Sequence, residues 1–356
     1  MPTPASIRKT DTMTQSSPPD GRVSKWILLL TLLIALASRL AAGQETSREK
    51  PDPGLYEKAK RASVVILGND HLDGSGWFTD PEGLLFTAAH VVGRADRRID
   101  VVSPVAGRLE AKLVAVDLGH DLALLRVEKR EGGYPALKLA DALPPPGEDV
   151  FLFGAPLFRP TLLLRGMVAS DRTAFEYYTG KYIETVHVAA TVQSGTSGGP
   201  WLNGRGEVIG LQSGVMSVNS IPIGIANVIP LQALRELLKS RRTAATPTLG
   251  AAVEEPWQQG RDVLDRFPPR TEGVLLKILQ KDKPADRAKL KQWDLITAAD
   301  GKQVRVSADL LRMVRSKQPG ESIKLSVTHP DGSGTEDVNV KLGKLEVAWP
   351  ATDEKE

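Results

Sequence analysis

Hydrophobic and polar positions divide the chain into three parts. An apolar run lies near its start, a long series of short apolar runs follows, and the last, shorter part has a different spacing of apolar residues. From residue 62, the short runs are rich in β-branched residues, and turn residues separate them at fairly regular spacing. Such a pattern predicts the strands of an all-β barrel or sandwich. The runs include ASVVIL, GLLFTAAHVV, AKLVAVD, LALLRV, DVFLFG and EVIGLQSGV.

A helix is predicted to close this β-rich part. In PLQALRELLKSRR the leucines recur at helical spacing, at Leu231, Leu234, Leu237 and Leu238. After this helix the helical spacing of leucines ends, and arginine, proline and small residues follow. We therefore expect a linker over residues 241–247.

The part that follows predicts a small α+β domain over residues 248–345. Strands are expected at TEGVLLKILQ, QPGESIKLSVTH and TEDVNVKLG, the last two flanking the turn PDGSG. SADLLRMVRSK predicts a helix, with Ser307 at its N-cap position. EEPWQQGRDVLDRFPPR predicts an irregular insertion, and residues 346–356 are expected to form a tail.

The first 43 residues predict export. An uninterrupted apolar run occupies residues 26–38, after Arg22 and Lys25 and before small residues. This layout is typical of a secretory signal peptide, and the run is shorter than the roughly 20 residues of a membrane-spanning helix. An uncleaved membrane anchor is the alternative. Residues 44–240 would then form the first folded domain.

Composition narrows the choice of partners and cofactors. The net charge is +3 without a long basic run, which argues against nucleic acid as a partner. The absence of cysteine excludes thiol catalysis, disulfides and cysteine-ligated zinc. His71 and Asp73 are two scattered ligands without partners, so we expect no metal. GSGWFT lacks the third glycine and the helix of a phosphate loop, and we expect no cofactor.

One glycine-rich stretch, GTSGGP at residues 195–200, contains a candidate nucleophile, Ser197. By itself it fits an ordinary turn equally well, since glycine adopts positive φ without steric cost. An acyl-transfer serine also needs a base and an orienting acid, which His90 in TAAHVV and Asp121 in HDLALL supply. The order His, Asp, Ser among short strands is that of chymotrypsin-type barrels. His120 lacks this context and is expected to be an exposed loop residue.

These motifs resemble the HtrA/DegP-like (high-temperature-requirement A) serine proteases, and the C-terminal part resembles a PDZ domain. The resemblance covers about residues 60–345. It implies a mainly β fold, with a chymotrypsin-like double β-barrel followed by a small α+β PDZ domain. It also implies an ATP-independent serine endopeptidase that acts on unfolded or damaged exported proteins, in the periplasm or cell envelope, and assembles as a homo-oligomer, a trimer. The stretches that carry the resemblance are GSGWFTDPEGLLFTAAHVV, HDLALL and SGTSGGPWLNGRGEVIGL for the protease part. For the PDZ part they are EGVLLKILQKDKPADRAKLKQWDLITAADGKQV and RSKQPGESIKLSVTHPDGSGTEDVNVKL.

The chemistry of such a triad gives each residue a role. Ser197 attacks the scissile carbonyl, His90 accepts its proton, and Asp121 orients and stabilises the imidazole. The backbone N–H groups of Gly195 and Ser197 would form the oxyanion hole. The strand LQSGV is expected to line the pocket for the residue before the cleaved bond. It contains no acidic residue, so a small or medium apolar side chain is expected there.

The loop before the nucleophile departs from the pattern of the family. Relatives often carry TDAAINRGNSGG where this chain has VAATVQSGTSGG. Ala189, Gln193 and Ser194 thus replace an acid, an Asn and an Arg on the loop that shapes the oxyanion hole, and Trp201 is bulky where Leu or Ala is usual. A different function therefore stays open, that of a chaperone or peptide-binding scaffold whose protease domain is held inactive.

The PDZ-like part implies a reader of peptide C-termini. PDZ domains bind a terminal carboxylate with backbone N–H groups and add the peptide as a strand. TLGAAV occupies the place of that loop and strand, so Leu249, Gly250 and Ala251 are the candidate carboxylate-binding positions. The alternative is that TLGAAV is simply the first strand of the domain.

Overall fold

The computed structural model describes residues 51–93, 97–219, 221–330 and 334–346. Within these ranges, two β-barrels come first and a smaller α+β unit follows. No helix in the described ranges is long and apolar enough to cross a membrane. The predictions for residues 1–43 and 347–356 lie outside the described residues.

Six strands form a closed first barrel in the order β1-β2-β3-β6-β5-β4. Helix α1 (Leu55–Ala62) packs its apolar face onto this barrel, and a single helical turn, α2 (Ala89–Val92), follows β3. The strands are β1 Ser63–Gly68, β2 His71–Phe78, β3 Leu84–Ala88, β4 Ile99–Ser103, β5 Gly107–Asp117 and β6 Leu122–Val127.

A seven-stranded sheet follows in the order β13-β12-β11-β7-β8-β10-β9. Pairing of β13 with β10 closes six of these strands into the second barrel, and β9 extends from β10. The predicted fold class is confirmed, since two closed antiparallel barrels precede a mixed unit. The strands are β7 Asp149–Gly154, β8 Leu162–Val168, β9 Ala174–Tyr178, β10 Lys181–Ala189, β11 Pro200–Leu202, β12 Val208–Val218 and β13 Ile221–Pro230.

Helix α3 (Leu231–Ser240) is the predicted closing helix. It buries Leu231, Leu234 and Leu237 against the barrels, as the helical spacing of the leucines indicated. The segment 241–247 that follows is attached to β5. Val116 N–H donates to Thr243 Oγ1, and Ala244 N–H donates to the Val116 carbonyl.

The α+β unit has a sheet in the order β15-β16-β17-β19-β20, with β15 at one edge; β18 pairs with β17 and β14 with β21. Its strands are β14 Pro247–Thr248, β15 Ala251–Glu254, β16 Val274–Leu279, β17 Leu295–Ala299, β18 Lys302–Gln303, β19 Ser322–Thr328, β20 Thr335–Lys341 and β21 Gly343–Lys344. Its helices are α4 Arg261–Leu264, α5 Pro284–Arg287 and α6 Ser307–Arg315, with a 3-10 turn at Pro256–Gln258.

Two local predictions for this unit were wrong. The insertion expected to be irregular contains the 3-10 turn and α4, and Val263 packs on Leu275 and Leu295. Ser307 is the first residue of α6 and not its N-cap. Asp309 accepts from the Val306 N–H as a local cap, and the N–H and hydroxyl of Ser307 both donate to the distant carboxylate of Glu255.

Candidate active site

Strand pairing brings His90 and Asp121 together. Strands β3 and β6 are antiparallel neighbours with Ala88 opposite Leu122, so the turn after β3 meets the residue before β6. His90 Nδ1 lies 2.7 Å from Asp121 Oδ2, and His90 N–H donates to Asp121 Oδ1 at 3.0 Å. An ionised carboxylate only accepts hydrogen bonds, so Nδ1 carries a proton and Nε2 is left as the free base.

The buried position of Asp121 shapes the electrostatics of this pair. Asp121 is 1% exposed. Burial raises the pKa of Asp121, but the charge and hydrogen bond of His90 outweigh it, and the pKa lies below its ordinary value. Burial lowers the pKa of His90, but the Asp121 carboxylate outweighs it, and the pKa lies above its ordinary value. The carboxylate stays ionised and makes the imidazole a stronger base.

Ser213 connects the carboxylate to the candidate nucleophile. Its hydroxyl donates to Asp121 Oδ2 at 2.6 Å, and its carbonyl accepts from Ser197 Oγ at 3.0 Å. Two of the three predicted triad residues, Asp121 and Ser197, therefore contact Ser213 of β12. The Ser197 hydroxyl therefore donates to Ser213, and attack on a substrate requires this hydroxyl to donate to His90 instead. Sequence reasoning treated LQSGV only as pocket lining and missed this residue.

The glycines around Ser197 are required by close backbone contacts. Gly195 and Gly198 both have positive φ, +94° and +85°. A Cβ on Gly195 would lie 2.2 Å from the Ala155 carbonyl oxygen, and one on Gly198 would lie 2.1 Å from that of Ser75. Other residues could not follow this path, so the stretch is a constrained turn that presents Ser197.

Backbone contacts orient the loop that carries the predicted oxyanion donors. The Ser194 carbonyl accepts from Leu157 N–H at 2.8 Å. Because C=O and N–H point in opposite directions across a trans peptide, Gly195 N–H points away from Leu157. The carbonyl of Gln193 accepts the N–H and the hydroxyl of Thr196. Backbone carbonyls, which any residue supplies, thus hold the loop where the sequence departs from the family pattern.

Trp201 is accommodated by a hydrogen-bond partner on β12. It is fully buried, and its indole N–H donates to Gln212 Oε1 at 2.8 Å. Gln212 Nε2 in turn donates to the Gly214 carbonyl at 2.7 Å. The bulky residue is therefore tied to the strand that is expected to line the pocket.

The expectation that His120 is an exposed loop residue was wrong. Its side chain is only 18% exposed, because β10 covers it. His120 Nδ1 lies 2.7 Å from Asp117 Oδ2, and Nε2 lies 3.4 Å from Glu184 Oε2. Burial lowers the pKa of His120, but these two carboxylates outweigh it and raise the pKa to about 9. His120 is therefore protonated at neutral pH.

The candidate carboxylate loop of the second unit lies directly before and at the start of β15. Gly250 has φ +69°, and its N–H donates to Thr248 Oγ1 at 3.0 Å. A Cβ on Gly250 would lie 2.3 Å from Lys283 Cβ. Leu249 is buried, and its carbonyl accepts from Ala285 N–H at 2.9 Å. Ala251 pairs with Leu279 of β16.

A side chain from the second barrel occupies the outer edge of β15. Tyr182, on β10, donates its hydroxyl to the Val253 carbonyl at 2.9 Å and accepts from Val253 N–H at 2.8 Å. Both backbone groups of Val253 therefore face away from β16. An added strand would use this edge, and one phenol now satisfies part of it.

Two domain families match the chain. The family model described as trypsin-like peptidase domain matches residues 74–211, and the one described as PDZ domain matches residues 249–342. The fold and the His-Asp-Ser arrangement therefore define a trypsin-like peptidase domain followed by a PDZ domain.

Comparison with individual proteins identifies relatives of the chain. The chain is 31% identical over 278 residues to a probable periplasmic serine endoprotease DegP-like of Ectopseudomonas mendocina (strain ymp), covering 76% of this chain and 56% of the relative. It is 29% identical to the protein of that name from Rhizobium meliloti (strain 1021), covering 76% and 53%. The chain thus spans about half the length of these curated relatives. The chain is similar to these HtrA/DegP-like proteins over its peptidase and PDZ domains.

Solved structures agree on the fold. The HtrA-type protease AlgW with tripeptide has a TM-score of 0.62 at 22% identity, covering 83% of this chain and 97% of that chain. The serine endoprotease from Yersinia pestis has a TM-score of 0.57 at 20% identity, covering 82% and 97%. Barrels and PDZ domain thus follow each other in this chain as in those proteins.

Proposed function

We propose that this protein is an ATP-independent serine endopeptidase that hydrolyses peptide bonds of unfolded or damaged exported proteins. The observation that carries the proposal is the buried Asp121, which accepts hydrogen bonds from His90 and Ser213 beside the glycine-flanked Ser197. An aspartate with only a structural role would not require a half-exposed histidine partner whose Nε2 can act as a base.

In the proposed mechanism, Ser197 rotates toward His90 and attacks the scissile carbonyl carbon while His90 Nε2 takes its proton. Asp121 holds the Nδ1–H and stabilises the imidazolium. The N–H groups of Gly195 and Ser197 stabilise the oxyanion, where one lost donor in a related site costs about 2.7–4 kcal/mol. His90 then protonates the leaving amine, and water hydrolyses the acyl-enzyme by the same steps in reverse.

The test is cleavage of unfolded β-casein, together with labelling by a serine-directed phosphonate. The full chain should cleave and become labelled, Ser197→Ala should do neither, and Ser217→Ala, an exposed serine on β12, should do both. Binding of β-casein without cleavage or labelling by the unmodified chain would instead support the chaperone or scaffold function. Cleavage by Ser197→Ala would overturn the proposed nucleophile.

Export to the periplasm is part of the proposal. The relatives are periplasmic by name, and the apolar run at residues 26–38 supports the same location. Assembly as a homo-oligomer, a trimer, stays a prediction from the resemblance, and so does the choice between signal peptide and membrane anchor.

The PDZ domain is proposed to bind peptides, with Leu249, Gly250 and Ala251 at the carboxylate and the peptide added along β15. The edge position of β15 supports this addition, since its outer side pairs with no strand among the described residues. A peptide on that edge would take the place of the Tyr182 hydroxyl at Val253. Peptide binding is therefore expected to compete with a contact inside the chain.

A further inference from the structure

Arg315, the last residue of α6, reaches from the PDZ domain into the peptidase domain. Its Nη2 donates to the Tyr182 carbonyl at 2.7 Å and to the Gly119 carbonyl at 3.3 Å. The guanidinium also lies 6.0 Å from the centre of the Phe175 ring. A Cβ on Gly119 would lie only 1.8 Å from Arg315 Nη1. The side chain is thus packed directly against the loop that contains Gly119.

That loop ends in the catalytic carboxylate. Gly119 N–H donates to Asp117 Oδ1 at 3.0 Å, and the Gly119 carbonyl accepts from Glu184 N–H at 3.1 Å as well as from Arg315. Asp121 follows two residues later. The backbone before the carboxylate is therefore fixed from its own strand, from β10 and from the PDZ domain.

The conformation of Asp121 makes such support relevant. Its φ is +54°, a left-handed conformation that is uncommon for residues with a Cβ, although Asp adopts it more often than most. Such strain persists only where the surrounding structure fixes it. A relaxed backbone would carry the carboxylate away from His90, and a misplacement of about 1 Å at a catalytic group can cost on the order of 100-fold in rate.

We propose that Arg315 is a positioning residue for the triad, and that it acts by holding the Gly119 carbonyl so that Asp121 stays aligned with His90. The PDZ domain thereby contributes to the chemistry of the peptidase domain through one side chain that never touches substrate. The inference rests on the proposed function, since that function assigns Asp121 to the triad.

The experiment compares Arg315→Met, Arg315→Lys and Arg312→Met in the full chain. Arg312 is the matched control, because it donates from the same helix to the Thr173 carbonyl at 3.2 Å, outside the triad loop. Arg315→Met should lower kcat on a short peptide amide by about 10-fold or more with little change in KM, since only alignment is lost. Arg315→Lys should restore part of kcat, and Arg312→Met should keep it.

The pH profile separates positioning from general weakening. With Asp121 less well aligned, the acidic limb of kcat/KM for Arg315→Met should move to lower pH, whereas loss of folded protein would lower the whole profile. Native kcat in Arg315→Met, or an equal loss in Arg312→Met, would overturn the inference. Activity that survives in Ser197→Ala would overturn the proposed function instead.

Discussion

Ser213 supports the Asp121 carboxylate with a short hydrogen bond from a buried hydroxyl. Asp121 accepts three hydrogen bonds from outside its own loop: the ring Nδ1–H and the backbone N–H of His90, and the hydroxyl of Ser213. Removal of one of them leaves the buried charge less satisfied and its orientation less fixed.

We expect Ser213→Ala to lower kcat by roughly 10-fold to 100-fold, because a hydrogen bond to a charged group contributes about 1.5–3 kcal/mol. KM should change little, since the hydroxyl faces Asp121. Steady-state kinetics on a short peptide amide measure both. Ser217→Ala, on the exposed end of the same strand, is the control and should match the unmodified chain. A normal kcat in Ser213→Ala would show that the two His90 contacts suffice.

The pH dependence of activity follows from the raised pKa of His90. The imidazole must be neutral to accept the Ser197 proton, so kcat/KM should rise with pH through a value above the ordinary 6.5 of histidine. Asp121→Asn removes the charge that raises this pKa and leaves the burial that lowers it. The residual activity of Asp121→Asn should therefore have its acidic limb at lower pH. If the acidic limb of Asp121→Asn lies at the same pH as that of the unmodified chain, a group other than His90 determines that limb.

The candidate triad residues could be identified from the sequence, and Ser213 could not. TAAH, HDLALL and GTSGGP each place a chemically necessary residue beside a strand or turn that the pattern also predicts. A serine within an apolar strand has no recognisable motif around it, since its role depends on which residue lies across the barrel. The contact of the Ser197 hydroxyl with a backbone carbonyl could not be predicted either, because every residue has such a carbonyl.

At the scale of elements, the edge of β15 is where a peptide and Tyr182 would compete. We expect Tyr182→Phe to raise the affinity of the PDZ domain for a peptide with an apolar C-terminus by roughly 5-fold to 100-fold. The estimate follows from two lost hydrogen bonds of about 0.5–1.5 kcal/mol each. Fluorescence anisotropy with a labelled peptide measures this. Tyr178→Phe, which changes an exposed side chain, is the control. Equal affinities would indicate that peptides bind elsewhere.

Element prediction succeeded where one local pattern decides the structure. The leucines of α3 predicted both the helix and its buried face. The start of α6 was misplaced by one residue. Asp309 accepts from the Val306 N–H in the first turn, and the Ser307 N–H donates to Glu255, a contact 52 residues apart that no local pattern indicates. For the same reason the sequence did not reveal that Arg315 crosses between domains: its partners are backbone carbonyls, which every residue has.

At the scale of the whole molecule, the charged cluster around His120 makes stability depend on pH. The pKa of His120 is raised to about 9, so its contribution is complete below about pH 6.5 and is lost as pH rises toward 9. The contribution is on the order of 3 kcal/mol, since one pKa unit corresponds to about 1.4 kcal/mol.

Urea unfolding at pH 6 and pH 9.5 tests this contribution. His120→Gln should be less stable than the unmodified chain at pH 6, and the difference should shrink by pH 9.5. His71→Gln, which replaces an exposed imidazole, is the control. A difference that stays constant with pH would mean that His120 contributes through packing and not through its charge.

The fit between Gly119 and Arg315 limits how freely these two domains can be recombined. A PDZ domain that lacks an arginine at the position of Arg315 would leave the Gly119 carbonyl without this donor, and a side chain at position 119 would collide with the guanidinium. Gly119 and Arg315 are therefore complementary in shape, and the two positions must be transferred or altered together. A chimaera that joins these barrels to a foreign PDZ domain should keep its fold but lose turnover, unless the foreign domain also carries an arginine at the position of Arg315.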